Sequence, residues 1–273
     1  MRTGISGWQY DAWRGDFYPA GLARSRQLEY VASRMPTVEL NGPFYSLQRP
    51  ASYRRWHDQT PDGFVFAVKG GRYVTHFKRL VGAESALSNF FASGVLLLAE
   101  KLGPILWQLP ERSKFDPGVI EAFLDLLPTS TEEMARLAAH HDAKLDTARV
   151  HAQPEVSAPV RHALEVRHDS FLDERFFTLL EQHDVACVLA DSAGRWPVID
   201  RRTATFEYVR LHGHTSLYTS RYAAKSLDQW ADRCRSWSED GRDVYVYFDN
   251  DAHGHAPYDA LRLIERLEKQ LHA

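Results

Sequence analysis

The sequence predicts an α/β protein with a (β/α)₈ fold, a TIM-type barrel, in which residues 1–273 form a single domain. Short apolar runs of strand length recur eight times, and helical stretches lie between them. The 273 residues are also close to the roughly 250 that such barrels contain. An open doubly wound sheet usually has fewer strands, and no linker or low-complexity tract marks a domain boundary.

Each predicted strand is a short run rich in β-branched, leucine and aromatic residues. In chain order the runs cover residues 3–6, 37–40, 64–69, 105–109, 163–167, 185–190, 208–212 and 244–248. Their alternation with helical stretches predicts repeated βα units.

Helical periodicity and capping signals predict the connecting helices. Apolar side chains in residues 87–102 follow one helical face, and those in residues 261–271 form a final amphipathic stripe. Asp116 before a proline is typical of a helix N-terminus, and Ser130 with Glu133 fits a capping box.

Two connections depart from the regular pattern. About fifty residues separate the fourth and fifth predicted strands, which is enough for a doubled helix. Residues 191–207, between the sixth and seventh predicted strands, have little helical pattern, so an irregular or missing helix is expected there.

The composition is that of an ordinary soluble protein, with 44% hydrophobic and 25% charged residues. It excludes a disordered chain, a collagen and a coiled coil. No stretch approaches the roughly 20 apolar residues that span a bilayer, and the N-terminus has no apolar run typical of a signal peptide. We therefore predict a cytoplasmic location and no membrane partner.

Charge is unevenly distributed along the chain. The formal net charge is −3, yet residues 1–80 hold twelve Lys and Arg against six Asp and Glu. A basic first third indicates an anionic ligand, whereas the overall charge gives no general attraction to nucleic acid or anionic membranes.

Polar residues end the predicted strands, where a barrel builds its active site. Three pairs are spaced two apart, so each pair projects from one face of its strand. The pairs are Glu39 with Asn41, Glu165 with Arg167, and Arg210 with His212. If these faces point inward, the side chains share the C-terminal mouth of the barrel.

The residue types at this mouth suggest roles. Three cations from different strands favour an anionic, phosphate-bearing small molecule or nucleotide: Lys69, Arg167 and Arg210. Acid/base chemistry of a hydrolase or lyase is assigned to Glu39, Glu165 and His212. Further substrate contacts are predicted for Asn41, Tyr45, His76, Gln108, Tyr247 and Asn250.

Aromatic residues follow the first predicted strand in the segment from Trp8 to Tyr18. We expect Trp8, Tyr10 and Trp13 to form an aromatic lid over the mouth. The alternative is a stacking platform for a sugar or a nucleobase.

No cofactor is indicated by a motif. The chain has no Walker or GxGxxG sequence for a nucleotide cofactor, and no HExxH or CxxC spacing that singles out a metal site. A divalent metal is compatible with the residue types but is not indicated by them, and the oligomeric state is not predicted.

Several segments resemble, in order, those of the YecE-like family, a family of unknown function. They cover residues 7–19, 38–45, 66–76, 102–110, 164–168, 208–213 and 246–250. The resemblance implies a TIM-type barrel and no established reaction. Where relatives have Asn-Ser-Thr-Phe-Tyr, this chain has Gly42 and Pro43 in place of the two hydroxyl residues. Where they commonly have Phe-Asn-Asn, it has Asp249, an added carboxylate.

Besides an enzyme that acts on anionic substrates, the sequence leaves three alternatives open. A non-catalytic nucleic-acid-binding protein would use the basic first third and the aromatic loops. A glycoside-hydrolase-like enzyme would use Glu39 and Glu165 as its paired carboxylates. A structural salt-bridge plug would leave no charge at the mouth unpaired.

Overall fold

The structure, a computed structural model, describes residues 1–143 and 145–269. Within these residues one parallel sheet contains nine strands, which are β1 (Arg2–Ser6), β2 (Thr37–Leu40), β3 (Val65–Lys69), β4 (Leu102–Gln108), β5 (His162–Glu165), β6 (Val185–Cys187), β7 (Leu189–Asp191), β8 (Phe206–Leu211) and β9 (Asp243–Phe248). The order in the sheet is β6-β5-β4-β3-β2-β1-β9-β8-β7.

The strands β6 and β7 are two halves of the sixth predicted strand, interrupted only at Val188. The first half pairs with β5 and the second half pairs with β8. Just before β8 begins, the Thr203 hydroxyl accepts from the Cys187 amide (2.8 Å) and donates to the Val185 carbonyl (2.7 Å). Together the halves occupy one strand position, so the curled sheet has eight positions and the predicted TIM-type barrel is confirmed.

The helices lie around this barrel. They are α1 (Gln27–Ala32), α2 (Gly42–Tyr45), α3 (Pro50–Asp58), α4 (Glu84–Ala92), α5 (Pro117–Leu124), α6 (Thr131–Ala139), α7 (Glu174–Gln182), α8 (Ala224–Glu239) and α9 (Ala256–Lys269). None of the helices in the described ranges is both long and apolar enough to span a bilayer.

Both predicted irregularities are confirmed. The doubled helix between the fourth and fifth strands is α5 followed by α6, and residues 192–205 between β7 and β8 contain no helix. The caps also match, since Asp116 accepts from the Val119 amide and Ser130 from the Glu133 amide, both at 3.2 Å. The final stripe lies on α9, except that Leu271 is outside the described residues.

The prediction of a single helix over residues 87–102 is wrong. The helix α4 ends at Ala92, Gly94 has a φ of +117°, and a 3₁₀ segment covers Val95–Lys101 before β4 begins. A Cβ at position 94 would lie 2.7 Å from the Pro50 Cα, so the chain turns where it packs closely against α3. The apolar periodicity continues through the break because α4 and the 3₁₀ segment both bury apolar side chains in the same core.

Two cores result from the alternation of side chains along the strands. The larger lies between the sheet and the helices, and the smaller fills the barrel interior. Inside the barrel, Ala67, Ala163 and Ala186 line one side and leave room for Tyr208 and Tyr247 on the other. These two tyrosine rings, 5.2 Å apart, lie beneath the charged residues of the mouth.

We expect Gly94→Ala to lower the free energy of unfolding by about 2–4 kcal/mol, because it adds a steric clash to an unfavourable positive φ. Urea denaturation would measure this loss. The matched control is Gly15→Ala, where φ is +77° but nothing lies within 4 Å of the added Cβ. An equal loss in both variants would contradict the close-packing explanation.

Candidate functional site

The candidate site lies at the C-terminal ends of the strands, where inward-facing polar residues converge. Glu39, Glu165 and Arg210 point into the barrel and are fully buried. Their outward neighbours, such as Leu40 and Leu211, pack in the larger core instead. The two-residue spacing of the sequence thus places the predicted charges together.

The Arg210 guanidinium is the centre of the site. Its Nε and Nη2 donate to the two Glu39 oxygens at 3.1 and 2.8 Å, and its Nη1 donates to Glu165 Oε2 at 2.7 Å. Its Nη2 also reaches Asp249 Oδ2 and Ser6 Oγ, each at 3.1 Å. We call these five residues the Arg210 cluster.

All three guanidinium nitrogens of Arg210 are therefore engaged. Burial alone would lower the pKa of Arg210, but the charges of Glu39, Glu165 and Asp249 raise it well above its ordinary value. This geometry does not favour the predicted contact between Arg210 and substrate, because each guanidinium nitrogen already has a partner. The residue instead holds three carboxylates in place.

Glu39 is equally saturated. Its Oε1 accepts from the Ser6 hydroxyl and from Arg210, while its Oε2 accepts from the Tyr208 hydroxyl at 2.7 Å and from Arg210. Because each oxygen already has two donors and the side chain is buried, the geometry favours a positioning role for Glu39 over proton transfer.

Glu165 connects Arg210 to the second arginine of the mouth. Its Oε1 accepts from Arg167 Nε at 2.7 Å and lies 2.6 Å from Arg167 Nη2. Burial alone would raise the pKa of Glu165, but Arg167 and Arg210 hold it below its ordinary range. The Arg167 guanidinium lies 3.6 Å above the Trp196 ring, and its Nη1 has no partner in the described part of the chain.

Asp249 determines the proton position on His212. Burial would raise the pKa of Asp249, but Arg210 and the His212 hydrogen bond lower it to about 2, so the group is a carboxylate. The His212 Nδ1 lies 3.0 Å from Asp249 Oδ2 and must be the donor of this bond. Burial and Arg210 lower the pKa of His212, which favours a neutral imidazole with its lone pair on Nε2.

The His212 Nε2 is buried and has no hydrogen-bond partner among residues 1–143 and 145–269. The nearest carboxylate oxygen, Glu165 Oε1, is 3.8 Å away. Trp196 and Tyr218 pack edge-to-face against the imidazole at 5.2 and 5.6 Å. Because the imidazole is fully buried, a ligand can reach this lone pair only if a neighbouring side chain moves.

Lys69 differs from the arginines. Its side chain ends β3, is 8% exposed, and places Nζ 4.3 Å from the centre of the Phe44 ring. Within the described residues it makes no hydrogen bond or ion pair. Burial and then Arg210 lower its pKa to about 8, although the carboxylates of the Arg210 cluster partly offset this.

His76 and Gln108 lie beside Lys69. The His76 Nδ1 is 2.9 Å from the Thr75 hydroxyl, and burial together with Lys69 and Arg167 lowers the pKa of His76. Gln108, at the end of the neighbouring strand β4, donates to the Leu109 carbonyl at 3.3 Å. These groups place a cationic side of the mouth on β3, β4 and β5.

Asp251 is a residue that the sequence interpretation missed. A cavity of about 420 Å³ lies between Tyr10 and Tyr218 and is lined by both Asp249 and Asp251. Burial and the Asp249 charge raise the pKa of Asp251 well above its ordinary value, which favours the protonated carboxyl group. The signal was its spacing, since Tyr247, Asp249 and Asp251 continue the two-residue alternation past the end of β9.

The three residues of the predicted aromatic lid lie in different places. The Tyr10 hydroxyl donates to the Ser6 carbonyl at 2.6 Å beside the Arg210 cluster, and Trp13 lies fully buried behind it at 4.6 Å. Trp8 instead packs against Trp56 and lines a neighbouring cavity of about 460 Å³. Of the three, Tyr10 is the residue that lies over the cluster.

The remaining predicted contacts occupy different places. Asn41 donates to Ser6 Oγ at 3.0 Å and leaves its Oδ1 without a partner in the described residues, and Tyr45 is 63% exposed. Tyr247 bonds to the Thr37 hydroxyl at 2.8 Å below the mouth. Asn250 donates to the Ser220 carbonyl and to Asp259, which ties its loop to α9 rather than to the mouth.

A salt-bridge plug accounts for only part of this arrangement. The Arg210 cluster and Arg167 are mutually paired, as a plug requires, but Lys69 remains unpaired within the described residues. Residues 1–143 and 145–269 hold no group of three or more His, Cys, Asp or Glu side chains suited to a metal ion.

Arg210→Met should lower the free energy of unfolding by about 3–5 kcal/mol at pH 7, because it leaves three buried carboxylates without their shared cation. Urea denaturation would measure it. The control Arg24→Met removes an exposed ion pair and should have far less effect. A loss no larger than that of the control would show that the cluster does not stabilise the barrel.

Lys69 should make the stability of the protein rise between pH 8 and pH 10. A folded-state pKa of about 8 means that the folded protein releases the Lys69 proton before the unfolded chain does. The gain approaches about 3 kcal/mol, and it should be absent in Lys69→Met. Parallel pH profiles of unfolding for the two proteins would contradict the lowered pKa.

This chain is similar in sequence to curated proteins of two bacteria. UPF0759 protein YunF of Bacillus subtilis (strain 168) is 25% identical over 295 residues, covering 97% of this chain and 94% of YunF. UPF0759 protein YecE of Escherichia coli (strain K12) is 33% identical over 104 residues, 37% of each chain.

Two solved structures share the architecture. A DUF72 family protein of Thermotoga maritima MSB8 has a TM-score of 0.74 at 23% identity, covering 100% of this chain and 99% of its own. One of Enterococcus faecalis V583 has a TM-score of 0.73 at 17% identity, with 97% and 94% covered. The family described as "Protein of unknown function DUF72" matches residues 2–273, so this chain belongs to the DUF72 family, and its resemblance to YecE-like proteins is confirmed.

Proposed function

We propose that this protein is an enzyme that binds an anionic small molecule, with a phosphate or carboxylate group, at the mouth of the barrel. In this proposal the ligand reacts there by acid/base chemistry. The single observation that carries the proposal is the Lys69 ammonium group, which belongs to a side chain that is only 8% exposed and which no carboxylate of the described chain pairs with. A largely desolvated cation without an ionic partner destabilises the folded protein, and an anionic ligand that pairs with it would offset that cost.

The cationic side of the mouth would hold the anion. Lys69 on β3 and Arg167 after β5 flank Gln108 on β4, so their side chains come from one side of the barrel. Arg167 Nη1 remains available for a second contact, because Glu165 engages only Nε and Nη2. His76 offers a neutral donor from the adjacent turn.

Proton transfer would take place on the opposite side. The raised pKa of Asp251 favours a protonated carboxyl group that would act as the acid, whereas the neighbouring Asp249 stays ionised with a pKa of about 2. The neutral His212 can accept a proton on Nε2 once a ligand reaches it. Two titratable groups with pKa values pushed apart are typical of paired acid and base residues.

The other two hypotheses gain less support. A glycoside hydrolase needs two carboxylates that reach the substrate, whereas Glu39 and Glu165 are bound to the same guanidinium and Glu39 has no open oxygen. A single-stranded nucleic acid that stacks on the loop after β1 would need exposed rings there, whereas Trp13 is fully buried and Trp8 is 8% exposed; the exposed ring of Tyr45 lies in a different loop, after β2.

Isothermal titration calorimetry with inorganic phosphate and glucose 6-phosphate tests the proposal. We expect Lys69→Met to weaken binding at least tenfold, because it removes the unpaired cation. Wild-type affinity should also fall as the pH rises above about 8, where Lys69 loses its charge. Lys78→Met, at an exposed lysine nine positions further along, is the matched control and should bind like the wild type.

Equal affinity of the Lys69 and Lys78 variants would refute the role of Lys69. The absence of any binding to the wild-type protein would refute the anion site itself.

A further inference from the structure

We propose that Lys69 is also a nucleophile, whose Nζ condenses with the carbonyl group of an anionic aldehyde or ketone to form a Schiff base. This inference rests on the proposed function, because the same mouth would hold the anionic group of the compound. It assigns a covalent chemistry to that site.

The arrangement of charges leaves this amine free to react. An ammonium group held in a salt bridge keeps its proton and has no lone pair for attack. Here Arg210 binds Glu39, Glu165 and Asp249, and Arg167 occupies the remaining Glu165 oxygen. Both guanidinium groups thus take the carboxylates, and Lys69 has no ionic partner among the described residues.

The surroundings of Lys69 also favour its neutral form. Its Nζ lies over the Phe44 ring, and the Arg210 guanidinium adds a like charge to the effect of burial. With a pKa of about 8, about one molecule in ten carries the neutral amine at pH 7. An ordinary lysine is neutral in roughly one molecule in three thousand at that pH.

The reaction balances without a cofactor or an oxidant. Lys69 first loses a proton, its nitrogen lone pair forms a bond to the carbonyl carbon, and the C=O π electrons move to the oxygen. Two protons, the one first released and one from the attacking nitrogen, then reach that oxygen, which leaves as water. The product is an iminium cation, whose positive charge the carboxylates of the Arg210 cluster would stabilise as they do that of the ammonium.

Neighbouring groups define the class of compound. Arg167 Nη1 and His76 are polar groups on the same side of the mouth as Lys69 that remain available for a carboxylate or phosphate. His76 is close to Lys69 and Arg167, because the charges of both residues lower the pKa of its imidazole. The compound is therefore a short one, with its anionic group within a few bonds of the carbonyl carbon.

Reductive trapping tests the inference directly. The protein is incubated at pH 7 with sodium cyanoborohydride and either pyruvate or dihydroxyacetone phosphate, which distinguish a carboxylate from a phosphate. Hydride reduction of the C=N bond leaves a stable secondary amine, and peptide mass spectrometry locates it. We expect Lys69 to be modified at least tenfold faster than the exposed Lys78 in the same molecules, for at least one of the two compounds. Inorganic phosphate should slow this modification.

Two controls separate covalent chemistry from simple anion binding. Lys69→Arg keeps a cation at the site but has no amine, so it should retain phosphate binding within a few-fold and lose the adduct. Acetone and dihydroxyacetone lack the anionic group and should label Lys69 at least tenfold more slowly. The comparison of Lys69 with Lys78 in the wild-type protein does not depend on the folding of any variant.

Each result decides between the two proposals. Phosphate binding with labelling of Lys69 no faster than that of Lys78 would overturn the Schiff base and leave the proposed anion site standing. Neither binding nor selective labelling would overturn both. Equal labelling by acetone would overturn the assignment to anionic carbonyl compounds.

Discussion

The site depends on one buried guanidinium that binds three carboxylates. Arg210 projects from β8 into the barrel, where Glu39, Glu165 and Asp249 reach it from three other strands or their ends. None of these charges would be stable alone in the interior, since each unpaired buried ion costs several kcal/mol. Their mutual pairing lets the barrel mouth be polar, and it also orders the ends of β2, β5, β8 and β9 relative to one another.

This pairing divides the charged residues into two kinds. The arginines are fork-shaped and satisfy two acceptors at once, so they take up the carboxylate oxygens. Lysine offers only a point charge, and Lys69 lies beside the Phe44 ring without an ionic partner in the described chain. The same cluster that stabilises the mouth thus leaves one amine whose protonation responds to its surroundings.

The irregular part of the barrel contributes to the site as well. Residues 192–205 form no helix, and this segment carries Trp196 to the mouth, where its ring packs against both Arg167 and His212. Its indole nitrogen is held by Glu111 at 2.8 Å. Loss of a helix in the barrel wall therefore supplies a cover for the charged residues.

The sequence by itself determined the barrel and its strand positions, and it predicted where the candidate site lies, because the period of side chains along a strand is a local property. That period placed Glu39, Glu165 and Arg210 on one inward face before any contact was known. It failed for residues 87–102, where close packing of Gly94 against α3 interrupts a helix whose apolar pattern continues. Only the tertiary structure decided which cation pairs with which carboxylate, because Arg210 and Glu39 are 171 positions apart. It also decided that Asp251 lies in the mouth while Asn250 points to α9, and that Lys69 alone among the three predicted cations has no partner in the described residues. Those outcomes follow from distances across the barrel, which strand patterns do not contain.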